Sequence, residues 1–323
     1  MHYINQKSWE EISQKNFEKV FMLLNAAEEK ITRDSQSMRK FLDFSSKNPN
    51  FSMRNTALLF EQYPSGFFFM ESGEFENAGY SVKEKEAGNK ILLSFAEDGK
   101  MVYRIGTVFD ISQTDVPEAD YRDFLNQEKR YAPEIVVNGL SELASVLAIP
   151  LPVDFSGDEH SVDFHQGKVI ESKTLDPTNR ASEMARAFAR ALLSMDNARS
   201  EIAEEYEFQA DTLSTLIGSA FGLDMPDEAY TRMYQHWQVA SEKTGLKYFE
   251  LSVPAFLSFR SHQNEMENYI DQAKEINFVH DNPRTRESAA QKNYILDQQQ
   301  QMHEGPEVGS KKKGRIIEHD MER

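Results

Sequence analysis

The chain has 323 residues, of which 39% are hydrophobic and 28% charged, so it is long enough to bury a sizeable core and predicts two domains. It contains no cysteine, which excludes a disulfide framework, a thiolate metal site and a cysteine nucleophile. There is no run of about 20 apolar residues and the start of the chain is polar, so we expect no membrane span, no signal peptide and a cytoplasmic location.

The negative charge lies mainly in the last two-thirds of the chain. The net charge is −17 in total. Residues 1–115 hold 14 basic and 17 acidic side chains, a net of −3, whereas the remainder holds 22 and 36, a net of −14. The first third can therefore carry a basic face, and most of the remainder should repel nucleic acid.

The first 115 residues predict helices followed by a small sheet. Apolar residues recur at helical spacing over residues 10–31, 36–46 and 52–62. Short apolar or alternating runs separated by glycine-containing turns then predict antiparallel strands at residues 67–70, 80–83, 90–95 and 101–109. We therefore expect an α+β domain over residues 1–115, followed by a polar, acidic linker over residues 116–133.

The rest of the chain predicts a mostly helical second domain over residues 134–281 and a polar, disordered tail over residues 282–323. A short β-hairpin is expected between residues 161 and 172. The helices are predicted at residues 133–148, from Pro177 through Glu183, at 200–221, at 226–242 and at 247–276, with an interruption near Pro254.

One predicted helix has the pattern of a zinc-peptidase helix without its histidines. The metal signature HExxH places two histidines at i and i+4 on one face, with a glutamate as general base. Ser182 and Arg186 stand at the histidine positions here, and Glu183 remains. A neutral hydroxyl is a poor zinc ligand and a guanidinium cannot be one, so these residue types argue against catalysis.

Residues 51–114 resemble the N-terminal region of the ArdC-type antirestriction proteins of plasmids and conjugative elements, and of the related LtrC-like proteins. The most specific match is TVFDISQT at residues 107–114, which is similar to the family's VFDISQT signature. The stretches GYSVK at 79–83 and GNKI at 88–91 resemble the family's glycine- and lysine-containing segment. The resemblance implies single-stranded DNA binding by the first domain.

A second resemblance to the same family covers residues 163–237. SEMAR at 182–186 falls where the family has HExxH, EFQAD at 207–211 falls where it has an acidic third ligand, and YQHW at 234–237 resembles a later family string. The resemblance implies a zincin-like metallopeptidase domain whose site is vestigial, with no metal and no cofactor. The vestigial residues are Ser182, Glu183, Arg186 and Glu207.

In place of a metal, we expect Arg186 to bridge the carboxylates of Glu183 and Glu207, so that one cation replaces another. The simpler interpretation is a surface pair between Glu183 and Arg186 at i, i+3. Distant donors such as His165 and His236 do not supply a metal site, because the ligand-bearing helix presents no histidine.

Sequence-tolerant binding of single-stranded DNA combines aromatic faces, which stack on bases, with lysine and arginine side chains that follow the phosphates. The candidate contacts in the first domain are Arg54, Asn55, Phe67, Phe69, Phe75, Tyr80, Lys83, Lys85, Lys90, Tyr103 and Arg104. The aromatic residues among them can instead fill the core, because half of any strand faces inward. Asn55 and Gln62 can contact bases or cap neighbouring strands, and the sequence leaves both open.

We therefore predict a non-catalytic single-stranded DNA-binding protein of a plasmid or conjugative element, with a role in antirestriction or DNA transfer. Its inactive metallopeptidase-like domain would contact a host or element-encoded protein. Two alternatives stay open at this stage. One is a metallopeptidase with atypical ligands, and the other is an interaction protein whose acidic region imitates DNA.

Overall fold

The computed structural model describes residues 6–97, 100–121, 131–149, 177–196 and 200–281. The helices are α1 (Gln6–Ile31), α2 (Ser35–Lys47), α3 (Met53–Gln62), α4 (Ser72–Asn77), α5 (Pro133–Val146), α6 (Pro177–Met195), α7 (Ala203–Ala220), α8 (Asp227–Thr244) and α9 (Tyr248–Asp281). The strands are β1 (Phe69–Met70), β2 (Asn89–Glu97) and β3 (Lys100–Asp110). The predicted hairpin at 161–172 and the predicted tail at 282–323 lie outside the described residues.

The strands form one antiparallel sheet in the order β1-β3-β2. β2 and β3 are paired from Asn89↔Val108 to Glu97↔Lys100, and β1 pairs with the end of β3 through Phe69↔Asp110. This confirms the predicted α+β class with a small antiparallel sheet. None of the described helices is long and apolar enough to cross a membrane.

The predicted strand at residues 80–83 is wrong. This segment contributes one isolated bridge, between Val82 and Thr114. It then turns, because Glu86 donates its amide to the carbonyl of Lys83 and Lys85 adopts a left-handed backbone with φ of 72°. The strand predicted at 67–70 is confined to two residues. The short helix α4 after it was not predicted, and a capping box between Glu71 and Glu74 holds its first turn.

Local caps also hold one end each of α2, α3 and α8. The Asp34 carboxylate accepts the amide of Ser37 to cap α2, and the Ser52 hydroxyl accepts the amide of Asn55 to cap α3. Gly245 ends α8 in the left-handed conformation that glycine favours. The interruption predicted near Pro254 is wrong, because α9 continues through this proline, with Leu251 and Ala255 fully buried beside it.

The chain divides into two compact units, Met1–Lys274 and Glu275–Arg323. Within the first, aromatic rings join distant helices: Phe41 of α2 contacts Phe60 of α3 at 5.7 Å between centroids and Tyr248 of α9 at 6.1 Å. Tyr248 contacts Phe208 of α7 at 5.8 Å. One hydrophobic core thus contains residues from both sides of residue 115, and the predicted division into domains there stays a prediction.

A buried polar turn follows β3 and contains the end of the VFDISQT-like string. Hydrogen bonds connect it to the segment that leads into β1. The Asp110 carboxylate is fully buried and accepts the amides of Phe67, Phe68 and Ser112 at 2.8, 3.0 and 3.0 Å. The Gln113 side chain accepts the Asp110 amide at 2.9 Å and donates to Glu86 at 2.9 Å. The polar residues of this string therefore hold the local fold.

Replacing Asp110 by alanine should destabilise the protein, because three amides lose their acceptor away from water. We expect the free energy of unfolding to fall by about 3 kcal/mol. Urea unfolding of the full chain measures this as a lower midpoint at unchanged slope. The control is Asp115→Ala, which removes an exposed carboxylate that accepts one amide, from Ser81. Equal midpoints for the two variants would contradict the role given to Asp110.

Candidate functional site

The residues at the predicted metal position lie on three adjacent helices. α7 packs against both α6 and α8. α6 carries Ser182, Glu183 and Arg186 on its inner side, and α7 carries Glu207. Charged side chains bond these helices to one another. On each helix they recur at i, i+4, and therefore lie on one face.

Asp211 of α7 is the centre of this charged cluster. Its side chain is 1% exposed and accepts three cationic or polar donors from the neighbouring helices. Arg186 Nε lies 2.7 Å and Arg232 Nε 3.2 Å from Oδ1, and His236 Nδ1 lies 2.8 Å from Oδ2. The carboxylate therefore ties α7 to α6 through Arg186 and to α8 through Arg232 and His236.

Two further carboxylates complete the cluster. Glu207 accepts Arg186 Nη2 at 2.7 Å and also pairs with Arg190 of α6. Glu183 of α6 lies 3.9 Å from Arg232 Nη1 of α8, a longer and more exposed pair. Three arginines thus face three carboxylates, and the formal charge of the cluster is balanced when His236 is neutral.

The surroundings favour the charged form of both central partners. Burial raises the pKa of the Asp211 carboxyl, but the hydrogen bond from His236 and the charges of Arg186 and Arg232 outweigh it, so this pKa lies below its usual range. Burial likewise lowers the pKa of the Arg186 guanidinium, but Asp211 and Glu207 outweigh it and raise this pKa above its usual value. The ion pair is therefore fully formed at neutral pH.

The predicted bridge by Arg186 is confirmed for Glu207 and wrong for Glu183. The second carboxylate bound by Arg186 is that of Asp211, because Asp211 follows Glu207 by one helical turn and shares its face. The sequence interpretation missed Asp211, Arg190 and Arg232. The available signal was the i, i+4 repetition of charges on all three helices: Arg186 and Arg190, Glu207 and Asp211, Arg232 and His236.

These residues do not fit a zinc ion. A zinc peptidase needs three protein ligands with lone pairs and an open position for water. The guanidinium of Arg186 has no lone pair to donate and is bonded to two of the carboxylates that would face the metal. Ser182 is a buried neutral hydroxyl, and His236 is held by Asp211. Among the described residues, no group of three or more His, Asp or Glu side chains is arranged to hold a metal ion.

The residues predicted to contact DNA separate into a surface set and a core set. Phe69 and Phe75 are 5% and 0% exposed, and Asn55 is 8% exposed. Buried side chains offer no face to a base, so these three residues have a structural role in this fold. Phe67 and Tyr80 are half-buried against the small core around Phe75. The exposed members are Arg54, Lys83, Lys85, Lys90, Tyr103 and Arg104.

Asn55 and Gln62 of α3 act as a substitute strand along the outer edge of β2. The Asn55 amide group donates to the Leu92 carbonyl and accepts the Leu92 amide, each at 2.8 Å. Gln62 makes the same pair of bonds with Lys90, each at 2.9 Å. The choice that the sequence left open, between contacting bases and capping a strand, is thus answered in favour of capping.

The outer parts of β2 and β3 form a two-stranded ribbon with exposed aromatic side chains. Tyr103 is 51% exposed and Phe95 is 44% exposed. The Arg104 guanidinium lies over the Phe95 ring at 5.4 Å from its centroid. The pairing Ser94↔Tyr103 and Leu93↔Arg104 places Phe95 and Arg104 on one face of the ribbon and Tyr103 on the other. Phe95 was not among the predicted contacts, although it occupies an alternating strand position.

The basic side chains near the ribbon are tethered close to the sheet. Lys90 Nζ donates to the Thr107 hydroxyl at 2.7 Å, on the same face as Tyr103. Lys83 Nζ donates to the Ser112 carbonyl at 2.8 Å, beside the buried turn. Both side chains are exposed and keep donors available to solvent, because an ammonium group has three.

Neither a family model nor a curated protein matches the chain. Among solved structures, the chain is similar to the Mn(II)-bound antirestriction protein ArdC of the R388 plasmid, with 12% identity over 67% of this chain and 84% of that chain, at a TM-score of 0.48. The metal-free structure of the same protein gives 13% identity over 67% and 85%, at a TM-score of 0.46.

Replacing Asp211 by asparagine should lower stability in a pH-dependent way. Because the folded pKa of Asp211 is lowered, its ionised form stabilises the protein above its unfolded pKa of about 3.8, and this stabilisation is lost as the pH falls through the folded pKa. We expect a loss of about 3 kcal/mol at pH 7, since two arginines lose a buried counter-charge. The difference in the free energy of unfolding between variant and wild type should become smaller below about pH 4.

Urea unfolding at pH values from about 2 to 7, which include the carboxylate pKa range of roughly 2 to 5, measures this dependence. The matched control is Asp224→Asn, which changes an exposed aspartate just before α8. A difference for Asp211→Asn that is the same at all pH values would show that its carboxylate does not act through its charge.

Proposed function

We propose that the protein is a non-catalytic single-stranded DNA-binding protein of a plasmid or conjugative element. The observation that carries the proposal is the β2–β3 ribbon, which presents the exposed aromatic rings of Phe95 and Tyr103, with Arg104 over the Phe95 ring and Lys90 further along the face that carries Tyr103. Stacking surfaces next to cations suit an unpaired strand, because every base has a face to stack and every phosphate a negative charge.

The two faces of the ribbon offer different contacts. On one face Tyr103 presents an exposed ring, and the Lys90 ammonium lies on the same face beside Thr107, four residues along β3 from Tyr103. The two side chains would therefore contact different nucleotides of one strand. On the other face the Arg104 guanidinium is stacked on Phe95, and the pair presents a wider flat surface. A strand that follows either face would be bound without reading base edges, so we expect little sequence preference.

A role in antirestriction or DNA transfer is implied by the sequence resemblance of residues 51–114 and 163–237, and with it a cytoplasmic location. The helices α6–α8 would then have no peptidase function, since Arg186 and Ser182 replace the ligands that zinc requires. We propose that this region contacts a host or element-encoded protein.

The rival proposal of a DNA-mimicking acidic protein rests on the net charge of −14 in the sequence after residue 115. Several of those acids are already paired within α6–α8: Glu207 and Asp211 bind arginines, and Glu204 binds Lys243 at 2.6 Å. These pairs leave the net charge of −14 unchanged, because their arginine and lysine partners are already counted in it, so the oligonucleotide measurements below decide between the two proposals.

Replacing Tyr103 by alanine should weaken binding of a labelled single-stranded oligonucleotide to the full chain by about 5- to 100-fold. This is the range expected when one stacked base loses about 1–3 kcal/mol. Fluorescence anisotropy in low salt measures the affinity. The control is Phe21→Ala, which removes a comparably exposed aromatic ring from α1, 56% exposed, and should leave affinity unchanged. Equal losses for both variants would remove the ribbon from the proposed interface.

Replacing Lys90 by alanine should change the salt dependence of binding. A lysine that neutralises one phosphate contributes about 0.7 to the slope of log affinity against log salt for a single strand. We therefore expect a slope smaller by about that amount in Lys90→Ala and no change in Lys19→Ala, which alters an exposed lysine of α1. If the wild-type chain binds no oligonucleotide even at low salt, the DNA-binding proposal is wrong and the acidic interaction protein takes its place.

A further inference from the structure

We propose that the space between Glu207 and Asp211 is a cation-binding site whose cation is part of the chain, the guanidinium of Arg186. This goes beyond the proposed DNA binding and does not depend on it. It assigns to one arginine the structural work that a bound metal ion does elsewhere: neutralising inward carboxylates and joining two helices.

The geometry of the two carboxylates supports a site for one cation. Glu207 and Asp211 are one turn apart on α7 and both contact the same guanidinium, each at 2.7 Å and through different nitrogens. The Arg186 side chain is 14% exposed, so the cation is enclosed by protein on most sides. Both carboxylates thus face one cationic group, each through one oxygen.

The charge balance requires a cation there. Glu183, Glu207 and Asp211 carry three negative charges, and Arg186, Arg190 and Arg232 carry three positive ones. Without Arg186, and with His236 neutral, the cluster has one excess negative charge, next to a carboxylate that is 1% exposed. Such a charge is costly in the protein interior and attracts any cation that can reach it.

The guanidinium of Arg186 is part of the chain, whereas a metal ion must be bound from solution, and this difference can be tested. The guanidinium is always charged and always present, so helices α6–α8 pack without any supply of ions. When this guanidinium is removed, the same two carboxylates should accept a free divalent ion, because carboxylate oxygens suit hard cations such as Mn²⁺. The stability of the protein should then depend on the ion concentration.

The test compares the melting temperature of the full chain and of Arg186→Ala, with and without MnCl₂ at about 1 mM, against KCl of the same ionic strength. We expect wild type to be unaffected. The variant should melt lower without the ion and recover by about 3 °C or more with it. The recovery should disappear in Arg186→Ala/Asp211→Asn. Arg260→Ala, which removes an exposed arginine from α9, should behave as wild type.

If Arg186→Ala does not fold, Arg186→Gln is measured in the same way, since it keeps polar donors and much of the side-chain volume but not the charge. A folded variant whose melting temperature does not respond to MnCl₂ overturns the proposal. So does an equal response in wild type. Recovery with about 20 mM guanidinium chloride but not with MnCl₂ also overturns it, because the site would then recognise the planar fork of donors rather than a cation in general.

Discussion

Asp211 places a carboxylate in the interior of the layer formed by α6, α7 and α8, and an ionised carboxylate there needs cations from its neighbours. Arg186 supplies one from α6, and Arg232 supplies another from α8. Because these contacts cross both helix interfaces, they fix the relative rotation of the three helices. The remaining charges of the cluster, Glu207 with Arg190 and Glu183 with Arg232, are arranged around this centre.

Around the sheet, too, side chains satisfy polar groups that would otherwise lack a hydrogen-bond partner. Asp110 gathers the amides of the chain that leads into β1, and the amide groups of Asn55 and Gln62 occupy the outer edge of β2. An edge strand that is covered in this way is protected from pairing with other chains. The polar residues of the VFDISQT-like string thereby hold the local fold, and the ribbon beyond them is exposed.

Local patterns were sufficient to predict most of the helices, though not α4, and antiparallel strands close to β2 and β3, because apolar periodicity and glycine turns act over a few residues. The pair between Arg186 and Glu207 was expected from the resemblance, which places both residues at positions of metal ligands in the family. The role of Asp211 was not, since it depends on how closely α8 approaches α7, which is a tertiary property. Phe95 was missed for a similar reason: only the length of the ribbon beyond the core decides that this strand position is exposed.

An arginine network stabilises the layer of α6, α7 and α8, and the β2–β3 ribbon exposes aromatic and basic side chains. Arginines supply the cations between α6, α7 and α8, so we predict that no metal ion is needed to hold these helices together. The most direct measurement is the metal content of full-length protein purified from zinc-supplemented growth, combined with its melting temperature in a strong chelator. We predict no stoichiometric metal and an unchanged melting temperature. About one zinc per chain, the occupancy of a structural or catalytic site, with a lower melting temperature in chelator, would contradict the account.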